Sequence, residues 1–331
     1  MIEMWDAAFR EMSPPVGDAL SSSDGNAAFE LMHQELDRVW KHCFRVLRPG
    51  RFACVNIGDA VRTIGDDFQI YPNHARIVSA MSKIGFAPLP DVLWRKQTNA
   101  PNKFMGSGML PAGAYVTYEH EYVLIFRKGA KRLFKSEEEK LRRRQSAFFW
   151  EERNVWFSDI WTDLKGTSQG LVDEAVRERS AAFPFELPYR LISMYSVYGD
   201  TVLDPFLGTG TTAAAAVASG RNSVGVEAHK GFLGTIDRII RQSVKDGIGR
   251  IRGRITQHID FADSRTKSGY EFKHRNEFYG FYVMTSQERD LLLYQPESVK
   301  QLSPDEYQAS HVPATRASGA VSARQLSLLD A

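Results

Sequence analysis

The chain has 331 residues, 43% of them hydrophobic and 25% charged, and its 42 basic and 40 acidic side chains leave a net charge of +2. That length suits about two domains or one decorated α/β domain with a sizeable core, and the composition excludes collagen, simple disorder and a disulfide scaffold. Cys43 and Cys54 lack a CxxC spacing, no apolar run nears the roughly 18 residues of a membrane span, and the acidic start MIEMWDAAFREM is no signal peptide. A reducing, cytoplasmic setting fits, with neither structural zinc nor a disulfide framework.

Residues 1–12 and 26–47 read as helices; in the second, Phe29, Leu36, Val39, Trp40, Phe44 and Leu47 recur at helical steps. Between them SPPVGDALSSSDGN, rich in Pro, Gly and Ser, reads as a loop. The sharp stop Arg48-Pro-Gly-Arg51 leads into a buried strand, Phe52–Ile57. Residues 72–83 form a helix ended by Gly85, Val92–Trp94 a short strand and Tyr122–Phe126 a strong one. The stretch 95–114 between those strands is full of Asn, Pro and Gly and too long for a passive connection, so a functional loop is expected.

From Arg127 to Arg144 the chain is basic, and 145–182 shows aromatic residues from Phe148 to Trp161 but no clear strand pattern. Order returns in a helix (FPFELPYRLISMYSVYG), a strand (DTVLDPF), a helix (TTAAAAVASG), a strand (Asn222–Glu227) and a helix over 229–246. The polar, Ser/Gln-rich tail from about 296 is expected to be poorly ordered. Strands alternating with helices predict an α/β fold on a mainly parallel sheet.

The most informative stretch is Asp204-Pro-Phe-Leu-Gly208-Thr-Gly210-Thr-Thr212, a strand end entering a glycine turn that opens an Ala-rich helix. Such glycines let backbone approach a ligand closely. The next strand ends in Glu227, about twenty residues after Gly208, the spacing of a carboxylate that grips ribose hydroxyls. A phosphate-binding P-loop needs a lysine that is absent. A nicotinamide loop wants its glycines directly after the strand, where Asp204-Pro205-Phe206 intervenes. S-adenosylmethionine (SAM) has no pyrophosphate to cradle, and Asp204 suits its charged amino-acid end; a tight turn without ligand is the bland alternative.

These residues resemble the amino-methyltransferases of DNA, which methylate N4 of cytosine or N6 of adenine, in the permuted group whose catalytic half precedes the SAM-binding half. The resemblance covers roughly residues 1–295. Asp204 to Thr212 is similar to that family's SAM loop, and Phe183-Pro184-Phe-Glu-Leu187-Pro188 to the segment that closes over the methionine end of the cofactor. Trp94-Arg-Lys96 and Glu119 to Lys128 look like strands and loops of the catalytic half. The resemblance implies a Rossmann-like methyltransferase sheet with a small basic and aromatic insert. It divides the chain into a catalytic half lacking its first strand (1–130), a target-recognition insert (131–180), a SAM-binding half (181–295) and the tail (296–331). Asp204, Pro205, Phe206, Gly208, Gly210, Thr211, Thr212, Glu227, Phe183, Pro184 and Leu187 are its implied SAM contacts.

The family's catalytic motif is Ser, Asp or Asn followed by Pro-Pro and an aromatic at a strand end. Its polar side chain and a neighbouring carbonyl orient the lone pair of a base amine, and the aromatic stacks on the flipped base. Ser13-Pro14-Pro15 occurs here, but Val16 follows it and no strand precedes it, so Ser13 reads as a surface-loop decoy. A segment resembling Met1–Asp6 directly follows the motif in the family. The chain is therefore expected to begin just after the motif and to be inactive as written.

The implied partner is double-stranded DNA, which leaves room for a cognate restriction endonuclease and implies association with the nucleoid. Lys131, Arg132, Lys135, Arg142, Arg143 and Arg144, with Lys96 and Asn99 on the long loop, are the candidate DNA contacts. Arg238, Arg241, Lys245, Arg250, Arg252 and Arg254 form a second candidate stretch. Glu119 and Glu121 flank His120 on a strand and point to another face, so no metal site is expected. An RNA or small-molecule methyltransferase and a non-catalytic SAM- or DNA-binding relative are the alternatives.

Overall fold

The computed structural model describes residues 2–96, 116, 118–164 and 183–315. They fall into two compact units: residues up to Leu133 with Ser158–Pro184, and Phe134–Phe157 with the chain from Phe185 onward.

The first unit opens with helices α1 (Ile2–Met12), α2 (Pro14–Ser21) and α3 (Gly25–Val46). The expected loop at 13–26 is thus mostly helix. Pro14 stands at the first helical position, where its missing N–H costs nothing, and Val16 and Ala19 are buried on one face. Asp24 caps α3, its side chain accepting from the Ala27 amide at 2.9 Å.

Strands β1 (Phe52–Ile57), β4 (Phe86–Pro88), β5 (Val92–Arg95), β6 (His120–Lys128) and β7 (Ile160–Trp161) make one sheet, while β2 (Ala60–Ile64) and β3 (Asp67–Tyr71) form a separate hairpin. The helix α4 (Asn73–Ile84) ends at Gly85, which is left-handed. Leu36, Trp40, Ile77, Met81, Phe86, Leu124 and Phe126 build the core on one sheet face. On the other face Trp94 is fully buried and donates from Nε1 to the Leu164 carbonyl at 3.0 Å.

The α/β class holds, but the sheet is mixed rather than mainly parallel. β1, β4 and β5 all run antiparallel to β6, and only β7 lies parallel to its neighbour β5. The reason is that β6, between β1 and β5, runs opposite to both.

The second unit contains α5 (Glu137–Gln145), α6 (Trp150–Trp156), α7 (Glu186–Tyr195) and a parallel pair of strands, β8 (Thr201–Asp204) and β9 (Asn222–Gly225). Helix α8 (Thr211–Ala218) joins that pair, and the 35-residue α9 (Leu233–Lys267) follows. It runs well past the expected end at 246, because Ile251, Ile255 and Ala262 continue its buried face. Short strands β10 (His274–Arg275) and β11 (Tyr282–Val283) pair next.

Helix α6 is clamped to α9. The Arg254 guanidinium donates to both Glu152 oxygens at 2.6 and 2.7 Å, and His258, one turn on, meets Glu151 at 2.8 Å with its ring stacked on Phe149. Of the residues expected to form the target-recognition insert, 134–157 group with the second unit and 131–133 and 158–164 with the first. Residues 165–182 lie outside the described residues.

The expected disordered tail is a hairpin over much of its length: β12 (Tyr294–Ser303) pairs antiparallel with β13 (Glu306–Pro313). Its anchor is steric. A Cβ on Gly247 of α9 would stand 2.7 Å from Pro296 and 3.1 Å from the Ala218 backbone, so the bare position lets α8 and β12 close on α9. Residues 316–331 lie outside the described residues.

In the first unit His33 is fully buried, its Nε2 donating to Asn73 Oδ1 at 3.0 Å, while Asn73 donates to the Gly58 carbonyl. Burial pushes its imidazole below the usual value, with the Asn73 hydrogen bond acting the other way; Glu30, Asp37 and Arg76 are the charges facing it. The unfolded chain takes up this proton near pH 6.5 and the folded chain only lower, so this contribution is whole above about pH 6.5 and drains away as pH falls. The urea midpoint of the parent should drop more steeply between about pH 7.5 and 5.5 than that of His33→Gln. Parallel curves would remove His33 from the acid response.

Candidate functional site

The glycine loop is pinned at both ends by the strand beside it. Val226 N donates to the Asp204 carbonyl and Leu207 N to the Val226 carbonyl, each at 2.9 Å. Asp204 Oδ1 accepts from Phe206 N at 2.9 Å, which turns the chain sharply out of β8 and leaves the Phe206 side chain 49% exposed.

The Glu227 carboxylate closes the loop, accepting from Gly208 N at 2.9 Å and from His229 N at 2.7 Å. Gly208 and Gly210 have φ of +54° and +91°, where a side chain is strained. Around Gly208, the Phe206 carbonyl at 3.9 Å is the nearest atom to the position a Cβ would take, so the space over this residue is open. Gly210 caps α8, whose first residues are Thr211 and Thr212.

Chemically, this is a cradle of backbone amides with a carboxylate at either side and no basic residue from 204 to 212. It is poorly suited to a pyrophosphate. It suits a nucleoside whose other end is cationic, because two carboxylates can take hydroxyls and an ammonium while the glycines leave room for close approach.

Of the expected cofactor residues, the structure gathers Asp204, Pro205, Phe206, Gly208, Gly210, Thr211, Thr212 and Glu227 around this loop. Leu187 lies in α7 of the same unit and is 2% exposed, a core residue, whereas Phe183 and Pro184 group with the first unit. Sequence reading missed Gly225 and Leu207. A Cβ on Gly225 would lie 2.5 Å from the Leu207 side chain, which fills that gap to hold the loop on β9. The glycine interrupting an apolar strand was the available signal.

Ser13 stands at the N-cap position of α2 without a side-chain capping bond and is 8% exposed, its carbonyl accepting from Val16 N at 3.0 Å. It is no strand-end residue. It is also not on a surface loop as expected, because Val16 draws the segment into the core.

The expected DNA contacts are divided between the two units. Lys131 and Arg132 belong to the first unit, Lys135 and Arg142 to Arg144 to the second. Arg142 pairs with Glu138 at 2.5 Å, Arg144 with Asp290 at 2.6 Å, and Arg143 lies over the Phe134 ring at 4.9 Å. Lys96 pairs with Glu121 and lies 4.4 Å over Trp94; Asn99 is outside the described residues. In the second stretch, Arg254 is buried on Glu152, Arg250 pairs with Glu186 and Arg241 with Asp237. Arg254 is thereby corrected from a surface contact to a core residue: only pairing lets a charge stay buried. Among the described residues no cluster of His, Cys, Asp and Glu could hold a metal, and no helix is long and apolar enough to cross a membrane.

Comparison with known proteins follows the same lines. A family model described as DNA methylase matches residues 10–238. The type II methyltransferase M.MthZI of Methanothermobacter thermautotrophicus is 51% identical over 93% of this chain and 86% of its own length. M.MjaI, a type II methyltransferase of Methanocaldococcus jannaschii, is 44% identical over 77% of this chain and 84% of its own. Among solved structures, TTHA0409 of Thermus thermophilus, provisionally assigned as a DNA modification methylase and complexed with S-adenosyl-L-methionine, superposes with a TM-score of 0.53. It is 33% identical, over 65% of this chain and 79% of that one.

Proposed function

Since the chain belongs to the DNA methylase family, the amino-methyltransferases of DNA, we propose that it is built for SAM-dependent, site-specific methylation of duplex DNA. The acceptor is the exocyclic amine of cytosine (N4) or adenine (N6), in a system of restriction-modification type. A cognate endonuclease is then its natural companion. The observation that carries the reading is the amide cradle at Gly208 held shut by Glu227.

When bound, SAM supplies a methyl group on a positively charged sulfur. Toward it, Asp204 takes the ammonium of the methionine end, and the Glu227 lone pairs not used by Gly208 and His229 take ribose hydroxyls. Phe206 offers its exposed ring as a cover, and Pro205, Gly208, Gly210, Thr211 and Thr212 shape the cradle. We assign Phe183 and Pro184 to the methionine end and give buried Leu187 a packing role.

The methyl-acceptor half needs a polar residue, two prolines and an aromatic at a strand end, and Ser13-Pro14-Pro15-Val16 is a helix start. Residues 1–331 by themselves then bind cofactor without methyl transfer, because misplacing the amine by about an ångström already costs on the order of a hundredfold in rate. A further strand bearing such a motif has a place beside β8, whose one partner among the described residues is β9. Such a strand would pair with the backbone edge of β8 that β9 leaves open among the described residues.

Calorimetry with SAM should show Gly208→Val and Glu227→Ala at least about tenfold weaker than the parent, roughly 1.4 kcal/mol each. Equal affinity in all three would place the cofactor elsewhere.

A tritiated-methyl transfer assay on mixed-sequence DNA should find background activity both in this chain and in Ser13→Ala, and turnover in a version extended upstream in frame. Activity in the unextended chain that vanishes in Ser13→Ala would make Ser13 catalytic after all.

Neutralising Lys131, Arg132, Lys135 and Arg142 should flatten the log affinity versus log salt slope for duplex DNA by about 0.9 for each phosphate they had neutralised. An unchanged slope would leave these residues as solvated surface.

A further inference from the structure

The last third of the second unit carries a surface that the cofactor loop does not use. Residues 270–282 hold Tyr270, Phe272, Phe278, Tyr279, Phe281 and Tyr282. Tyr279 and Phe281 serve the core, at 7% and 6% exposure. Tyr282 does not: it is 40% exposed, while Val283, next along β11, is fully buried. Alternation along a strand puts one residue inward and its neighbour out.

The outward ring is not left bare. Arg275 stands directly opposite Tyr282 in the β10–β11 register, and its guanidinium lies 4.7 Å from the ring centroid. Phe272 stacks nearly parallel to the same ring, 15° off at 5.4 Å. With Lys273, His274, Glu277 and Arg289 these residues line a cleft of about 500 Å³.

The charges in this cleft are unevenly engaged. Arg289 pairs with Glu277, the acid of the group. Neither Lys273 nor Arg275 makes an ion pair among the described residues, in a chain where Arg76, Arg144, Arg190, Arg250 and Arg254 all meet carboxylates. A guanidinium laid on an aromatic face is held in place, yet its N–H fork stays available at the edge. That fork matches the two oxygens of a phosphodiester, and Lys273 adds a point charge beside it. Exposed aromatics interleaved with cations are also how proteins grip nucleic acid without reading its sequence.

We infer that this cleft is a DNA-backbone contact site, receiving a phosphodiester on Arg275 and Lys273 with Tyr282 and Phe272 against the adjoining sugar. Its lining residues lie outside the basic run 131–144 in sequence, and it rests on the reading of the chain as a DNA methyltransferase. The role of Tyr282 is to hold Arg275, so a lysine at 275 keeps the charge and loses the aimed fork.

The test is fluorescence anisotropy of the full chain on a labelled mixed-sequence DNA duplex across a salt series. It compares the parent, the double variant Lys273→Ala/Arg275→Ala, and Arg275→Lys, each with SAM affinity measured as a check on folding. The slope of the double variant should flatten by about 0.9 for each phosphate set free, and Arg275→Lys should bind several-fold more weakly at an unchanged slope. A folded double variant with the parent's slope, or Arg275→Lys with the parent's affinity, overturns the inference while salt-dependent binding by the parent leaves the methyltransferase reading standing. A parent without salt-dependent affinity for DNA overturns both.

Discussion

One buried ion pair organises the second unit. Arg254 and Glu152 are 5% and 10% exposed, so neither charge can be left to water, and each must find the other. Burial works against the arginine's charge, yet the Glu152 carboxylate outweighs it and holds the guanidinium well above its usual range. The Tyr189 hydroxyl at 3.2 Å and the Trp156 ring at 5.3 Å complete its surroundings. The pair fixes α6 along α9, and α9 in turn backs the glycine loop, since Ile236 lies 3.4 Å from where a Cβ on Gly210 would be. One long helix thus carries the buried ion pair toward its C-terminal end and the contact with Gly210 near its start.

Much of this was legible from residue order. Phe52–Ile57 and the strong strand around Tyr122–Phe126 declare themselves because they are short apolar runs between turn signals. The turn after Asp204 was legible because its backbone takes positive φ at Gly208 and Gly210, and such demands are written in glycines. The segment after Ser13 was misread because its Ser and Pro signals outweighed the helical spacing of Val16 and Ala19. The β2–β3 hairpin carried its signal in Gly65-Asp66 between alternating residues, with Gly65 at φ +63°. The β12–β13 hairpin carried little. Its strands are only partly buried and polar, so cross-strand hydrogen bonds, the Pro296 contact, Tyr294 on the core and His311 against the Val217 carbonyl hold it without a clear apolar pattern.

Charge shows the limit of sequence reading most clearly. A run of basic residues is visible in any sequence, but its engagement is not. Arg142 and Arg144 stand in the densest run and already hold carboxylates, whereas Arg275 stands outside any basic run and holds an aromatic ring. Composition counts these side chains alike. Only the partner decides which of them has hydrogen-bonding capacity to spare.

The route of the chain has a consequence for how the molecule is made. It leaves the first unit after Leu133, comes back at Ser158 and leaves again after Pro184, so neither unit is a continuous stretch. Glu152 emerges from the ribosome 102 residues before Arg254. At ordinary translation speeds that is a delay of roughly 5–20 s, during which α6 has no α9 to dock on. The contacts that tie Glu151 and Glu152 to α9 can therefore form only after that helix has been synthesised.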